Sequence, residues 1–226
     1  MTGEGPALVV VAKECVPGHV KTRLAPALGP EGAARVAEAS LLDTLEAVDL
    51  TADGAPGVRR VLFLQGSPPR AAQLDGWEVL EQPAGGLDER LGHLLDVVAG
   101  PLLLVGMDTP QLRPEDLAPA LGLLLGRERP GGAWFGPAAD GGFWALGLGP
   151  RPARGDLVRG VPMSQEDTGA RQLDRLLGAG LRVGLLGELR DVDTPDDLAA
   201  VSALAPATRT ARAWARSVAG AAAGAS

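Results

Sequence analysis

Only two of this chain's 21 basic residues are lysines, and both stand in one short segment, as Lys13 and Lys21 of A-K-E-C-V-P-G-H-V-K-T-R-L. Pro17 and Gly18 lie between them and Arg23 just beyond, in a chain whose net charge is −7. A glycine turn lets backbone N–H groups approach an anion closely, and Lys or Arg neutralises it, which is the chemistry of phosphate binding. The segment has neither the Walker spacing nor the dinucleotide fingerprint G-x-G-x-x-G. Taken alone it reads equally as a solvated basic turn. His19 reads as a surface residue and Cys15 as a small packed one.

Three further clusters could carry chemistry. Gly106-Met107-Asp108-Thr109-Pro110 follows the apolar run Leu102-Leu103-Leu104-Val105. A carboxylate at the mouth of a buried strand suits Mg²⁺ or Mn²⁺, although Asp before Thr-Pro is also an ordinary turn. Four of the seven Phe and Trp residues fall between Trp134 and Trp144, around Asp140, Gly141, Gly142 and Phe143. That stretch is either a hairpin turn or the wall of a substrate pocket, with Asp140 a candidate base for an acceptor hydroxyl. Last comes Asp191-Val192-Asp193-Thr194-Pro195-Asp196-Asp197. Helix capping by Asp193 or Thr194, with Pro195 in the first turn, accounts for its second half. It leaves Asp191, which alternates with Asp193 on an extended segment and projects to the same side, as a further candidate metal ligand.

These clusters need a scaffold that brings strand ends together. Continuous apolar runs at Ala7–Ala12, Val61–Leu64 and Pro101–Val105 predict buried strands, with a shorter one at Trp77–Leu80. Helical spacing predicts helices over Pro30–Leu50, Leu87–Val98, Pro114–Leu125, Gln165–Leu177 and Thr194–Leu204. Further strands are expected at Ala133–Phe135, Phe143–Leu148 and Leu181–Leu186. Strands alternating with helices imply a largely parallel α/β sheet, whose ligands sit beyond the carboxyl ends of its strands. Lys13 and Asp108 both fall at such ends. Residues 1–205 form one expected domain. Residues 206–226 form an Ala/Arg-rich tail, in which Arg209 is a surface arginine remote from the lysines and 220–226 should fray.

Composition removes several classes. With one cysteine, no disulfide within the chain and no Cys-based metal framework is possible. The acidic balance argues against coating nucleic acid or an anionic membrane. No apolar run approaches the ~20 residues of a membrane span, and no basic region precedes the first apolar stretch. A cytoplasmic location and no signal peptide are therefore expected.

In order, K-x₇-K-T-R-L, M-D-T-P, D-G-G-F-W-x-L-G and D-V-D-T-P-x-D-L, spanning Leu8 to Leu198, resemble a bacterial family of the Rossmann-like GT-A, nucleotide-diphospho-sugar transferase fold. Its members are usually taken to be glycosyltransferases, some in arsenosugar pathways. More distantly the chain is similar to guanylyltransferases acting on phospholactate or molybdopterin. The resemblance implies that Gly18, Lys21 and Arg23, with Lys13 and Pro17 in the same loop, hold nucleotide phosphates. It implies that Asp108, completed by Asp191 or Asp193, binds Mg²⁺ or Mn²⁺. Asp140 would face the sugar or acceptor, beside Gly141, Gly142, Phe143 and Trp144. Gln82 and Leu87-Asp88-Glu89-Arg90 match a family segment that commonly reads Leu-Gly-Glu-Arg, which adds Arg90 to the phosphate set.

The leading expectation is a metal-dependent glycosyltransferase moving a sugar from a nucleoside diphosphate to a small-molecule acceptor. The alternative is a nucleotidyltransferase joining a nucleoside triphosphate to a phosphorylated small molecule. A third is a nucleotide-sugar-binding module without turnover. None needs nucleic acid or a membrane span, and a homodimer is compatible with each.

Overall fold

The computed structural model describes residues 5–127, 131–151 and 153–224, with side chains to residue 217. Seven strands form one sheet in the order β3-β2-β1-β4-β6-β5-β7. They are β1 Ala7–Lys13, β2 Arg59–Gln65, β3 Trp77–Glu81, β4 Leu102–Gly106, β5 Gly132–Pro137, β6 Phe143–Leu148 and β7 Arg182–Leu185. Only β6 runs antiparallel to its neighbours β4 and β5; every other pairing is parallel. The expected α/β fold with a mostly parallel sheet flanked by helices is the observed one.

β1 is apolar without interruption because both its faces are covered. Leu8, Val10 and Ala12 join the cluster built on Ala37, Leu41 and Leu45 of the long helix α1 (Ala25–Asp53). Ala7 and Val9 point the other way, into a cluster with Leu91, Leu94 and Leu95 of α2 (Leu87–Val97). α1 is interrupted at Gly29, which takes φ 70° and ψ 163°. A residue before proline is pushed out of the α region, so the straight part of the helix begins at Pro30, as its spacing predicts.

Two helix expectations need correction. The helix expected over Pro114–Leu125 is two single turns, α3 (Pro114–Leu117) and α4 (Leu121–Leu124), joined by a 3₁₀ turn at Ala118–Ala120. Pro119 stands in that turn; it lacks an N–H and its ring would crowd the carbonyl one turn back, which breaks the α ladder. The helix expected from Gln165 begins at Thr168 and runs to Gly178 as α5. The Thr168 hydroxyl accepts from Gln165 N (2.9 Å) and donates to Pro162 O (2.9 Å), holding the preceding residues as a turn. α6 (Pro195–Leu204) starts as expected: Thr194 caps it, with Asp197 completing a reciprocal capping box.

The tail forms α7 (Arg209–Gly224), seated on α1 and α6; residues 225–226 of the segment expected to fray lie outside the described part. Asp43 of α1, 6% exposed, accepts from the N–H groups of Arg209 and Thr210 (both 2.9 Å) and from the Thr210 hydroxyl (2.8 Å). Arg209 also ion-pairs with Asp43 and Glu46. It is remote from the lysines but is not an idle surface charge. No helix among the described residues is long and apolar enough to cross a membrane.

Candidate functional site

The carboxyl ends of β1 and β4, the amino end of β6 and the segment before α6 converge on a cleft of about 520 Å³, a volume suited to a small organic ligand. Lys13, Lys21, Arg23, Arg90, Asp108, Asp140, Gly142, Phe143, Asp191 and Asp193 all line it. Residues separated by nearly the whole chain thus meet at one end of the sheet, beyond the carboxyl ends of its central parallel strands.

At its centre is Lys21. Its Nζ lies 2.5 Å from Asp108 Oδ1 and 2.9 Å from Asp193 Oδ1, and its side chain is only 6% exposed. Burial alone would lower the pKa of this ammonium; the two carboxylates outweigh that and raise it, so it stays charged. Its backbone φ of 46° is left-handed, a conformation rare for a residue with a side chain. Arg23 is well exposed and stands 3.7 Å from Asp193 Oδ2.

Asp108 is held by groups beneath it. Ser40, buried in α1, donates its hydroxyl to Met107 O at 2.7 Å, and Val192 N donates to Asp108 O at 2.9 Å. The second bond ties the Asp191–Asp193 segment to the end of β4. Between the two aspartates Val192 is fully buried with Leu24, Leu198 and Val201, so its neighbours turn together toward the cleft. Sequence alternation predicts this arrangement.

Asp191 is the odd carboxylate. Its Oδ1 is buried and has no hydrogen-bond partner among the described residues. Burial first, then the nearby Asp108 and Asp140 carboxylates, push its pKa up to about 7, with Lys21 pulling the other way. This unpartnered carboxylate oxygen, near two more carboxylates, has a lone pair free for a cation. No group of three or more His, Cys, Asp and Glu side chains among the described residues forms a complete protein cage. Mg²⁺ does not need one, since one or two carboxylates with water and substrate phosphates commonly suffice. Asp108, Asp191 and Asp193, which all line the cleft, are the side chains that could hold a divalent cation here.

On the opposite wall, Gln82 is 7% exposed and donates from Nε2 to Ala12 O and Phe63 O, both at 2.8 Å. Its Oε1 accepts from Arg90 Nη1 at 2.7 Å, and Gln65 Oε1 accepts from the same nitrogen at 3.0 Å. A buried amide thus aims the Arg90 guanidinium into the cleft. Asp88 accepts from Gly160 N at 2.9 Å and so tethers a neighbouring loop.

Other expected residues lie outside the cleft or have a structural part in it. Pro17 and Gly18 are exposed on the β1–α1 loop and do not line the cleft. Gly141 also falls outside the lining: at φ +88°, an added Cβ would come within 1.9 Å of Glu166 O, so this corner rests directly on the segment before α5. Trp144 does line the cleft, but at 1% exposure and with its indole donating to Gly187 O at 3.0 Å it forms the cleft floor rather than an open wall. Asp140 is exposed, and its Oδ1 accepts from Gly142 N at 2.8 Å, so it also shapes the turn. The Cys15 thiol is pushed up to about 12 by burial and by Glu38, which leaves it no nucleophilic part. Ser40 was beyond sequence reasoning; its only signal is a lone small polar residue in an Ala-rich helical stripe.

Residues 47–165, more than half of the chain, match the family described as "Uncharacterized protein conserved in bacteria (DUF2064)". The chain is 36% identical over 217 residues to a phosphoenolpyruvate guanylyltransferase of Streptosporangium roseum, covering 91% of this chain and 89% of that protein. It is 31% identical over 225 residues to one from Mycobacterium sp. strain KMS, covering 94% and 93%. Among solved structures, a proposed nucleotide-diphospho-sugar transferase of Desulfovibrio desulfuricans G20 superposes with a TM-score of 0.78 at 23% identity, covering 95% of each chain. That likeness shows the fold.

Proposed function

The chain belongs to this bacterial family and is a transferase, and we propose that the group it transfers is a nucleotidyl: a guanylyl moiety passing from GTP to a small phosphorylated acid, as the relatives' name describes for phosphoenolpyruvate. The observation that carries this reading is the 36% identity across nearly the full length of both proteins. It favours nucleotidyl transfer over the sugar transfer expected first.

The cleft offers what that reaction needs. Lys21 and Arg23, with Lys13 at the end of β1, supply positive charge for the triphosphate, and Arg90, fixed by Gln82 and Gln65, can take a second phosphate from the facing wall. A phosphate oxygen of the acceptor attacks the α-phosphorus of the nucleotide. A new P–O bond forms, the bond to the bridging oxygen breaks with its electron pair, and pyrophosphate departs. The acceptor oxygen is already ionised, so no base need remove a proton. This relieves Asp140, exposed and engaged with its own turn, of the base role that an acceptor hydroxyl would demand. Charge on the departing pyrophosphate falls to Lys21 and Arg23. A divalent cation held by Asp108 and Asp193 would add neutralisation of the same oxygens when bound.

The test is to incubate the protein and Mg²⁺ with each nucleoside triphosphate and a panel of phosphorylated acids, and separately with nucleotide sugars. Pyrophosphate release that needs both GTP and acceptor supports the proposal. Release of a nucleoside diphosphate from a nucleotide sugar, without pyrophosphate in the first arm, would return the chain to sugar transfer.

A further inference from the structure

We propose that Lys21 is a resident counter-ion that makes the cleft accept a divalent cation only together with the nucleotide. The inference rests on the reading that the cleft binds a nucleoside triphosphate, and it adds an order to that binding.

Three observations carry it. First, the ammonium occupies the point between two carboxylates, 2.5 Å from Asp108 Oδ1 and 2.9 Å from Asp193 Oδ1. A cation touching both of those oxygens would need the same space. A univalent and a divalent cation cannot share it at such separations, because their repulsion grows steeply in a poorly solvated site. Secondly, the displaced ammonium would have nowhere to go. Its side chain is 6% exposed, and no carboxylates besides Asp108 and Asp193 pair with it among the described residues. Free metal would therefore exchange one satisfied cation for another and strand the first, at the cost that attends any buried unpaired charge. A triphosphate changes that balance, since its oxygens receive the lysine as the metal takes the carboxylates. Thirdly, the lysine has the means to move. Its flexible four-carbon stem carries a point charge. Its backbone sits at φ 46° in a loop whose other left-handed residue is Gly18, at φ 80°, a conformation that persists only where its surroundings hold it. The double ion pair supplies that hold, and losing it lets the loop relax around the phosphates.

Metal and nucleotide should then bind with positive coupling, and by linkage each should strengthen the other equally. Neutralising Lys21 ought to have opposite effects on the two ligands, which a purely structural lysine would not produce.

The experiment is calorimetric titration of Mn²⁺ into wild type and Lys21→Met, each with and without saturating GTP. Wild type should bind Mn²⁺ about tenfold or more weakly without GTP than with it. Lys21→Met should bind free Mn²⁺ about tenfold more tightly than wild type, yet bind GTP about ten- to a hundred-fold more weakly. If wild type binds Mn²⁺ with GTP while Lys21→Met gains nothing for free Mn²⁺, the counter-ion proposal is overturned and the nucleotide reading stands. If wild type binds no GTP with Mn²⁺ present, both fall. A second measurement needs no variant. The chain has only two lysines, so ¹⁵N-lysine labelling gives two side-chain Nζ signals. Mg²⁺ alone should leave the Lys21 signal in place and Mg²⁺ with GTP should move it; an unmoved signal in the presence of bound Mg²⁺–GTP overturns the proposal.

Discussion

Replacing Asp191 with Asn should stabilise the metal-free fold, and only above a particular pH. The Asp191 carboxyl is pushed from 3.8 up to about 7, chiefly by burial and then by Asp108 and Asp140. The folded state therefore holds this proton more tightly than the unfolded chain does. Its favourable contribution is complete below about pH 4, declines as pH rises through the window from 3.8 to about 7, and is gone above it. With 1.36 kcal/mol per unit, a shift of this size corresponds to roughly 4 kcal/mol once Asp191 is ionised, and about 1.5 kcal/mol is already lost at about pH 5. Asn mimics the neutral acid and should escape the loss. Urea denaturation of both proteins in excess chelator, from pH 4.5 to 8.5, should show near-equal midpoints at the acid end. Above neutrality Asn should lead by about 2–4 kcal/mol. A difference that does not vary with pH, or a wild type that is the more stable at pH 8, would refute the claim that Asp191 sits uncompensated in the cleft.

Other substitutions separate chemistry from architecture. Asp108→Ala should abolish metal-dependent GTP binding by calorimetry while near-UV circular dichroism stays native; retained metal-dependent affinity would remove Asp108 from the site. Asp43→Ala unties the start of α7 from α1 and should cost about 2–3 kcal/mol in urea melts, with GTP affinity within about twofold of wild type. Gly141→Ala places a Cβ 1.9 Å from Glu166 O at φ +88°, so it should destabilise by about 3 kcal/mol or more, seen as a lowered thermal midpoint; an unchanged midpoint would mean that this corner is loosely packed. Gln82→Leu removes one of the two amide oxygens that orient Arg90 and should raise KM for the acceptor, measured by pyrophosphate release against acceptor concentration; an unchanged KM would remove Arg90 from the acceptor's contacts.

Sequence reasoning recovered the sheet best, for a physical reason. β1 and β4 are buried on both faces and so appear as unbroken apolar runs, and the predicted Ala7–Ala12 differs from β1 by the one residue Lys13. Capping chemistry was equally legible at Thr194, because the residues of a capping box are neighbours in the chain. The 3₁₀ turn at Pro119 was in plain view, but the apolar period of Leu117, Leu121 and Leu124 concealed it. In the site, the four clusters converge as expected, and the alternation of Asp191 and Asp193 is real. Pairings across the chain could not be read. Lys21 and Asp193 are 172 positions apart, so residue types alone leave the lysine between a phosphate contact and a solvated turn and give no sign that it bridges two carboxylates. The Ser40 and Gln82 supports are of the same kind. Each joins a side chain to a distant backbone carbonyl, and backbone carbonyls leave no trace in residue identity. Gly141 looked like part of a pocket because a Gly-Gly corner beside aromatics resembles one. Its true constraint, a close approach of Glu166 O, comes from the packing of a later segment.

Where the label of α-³²P-GTP ends up decides between moving a nucleotidyl group and moving a sugar. With Mg²⁺ and phosphoenolpyruvate, wild type should transfer the label into a new product that joins the nucleotide to the acceptor, with one unlabelled pyrophosphate released per product. Asp108→Ala should form none. A label that remains wholly in GTP, while the same preparation liberates a nucleoside diphosphate from a nucleotide sugar, would contradict it.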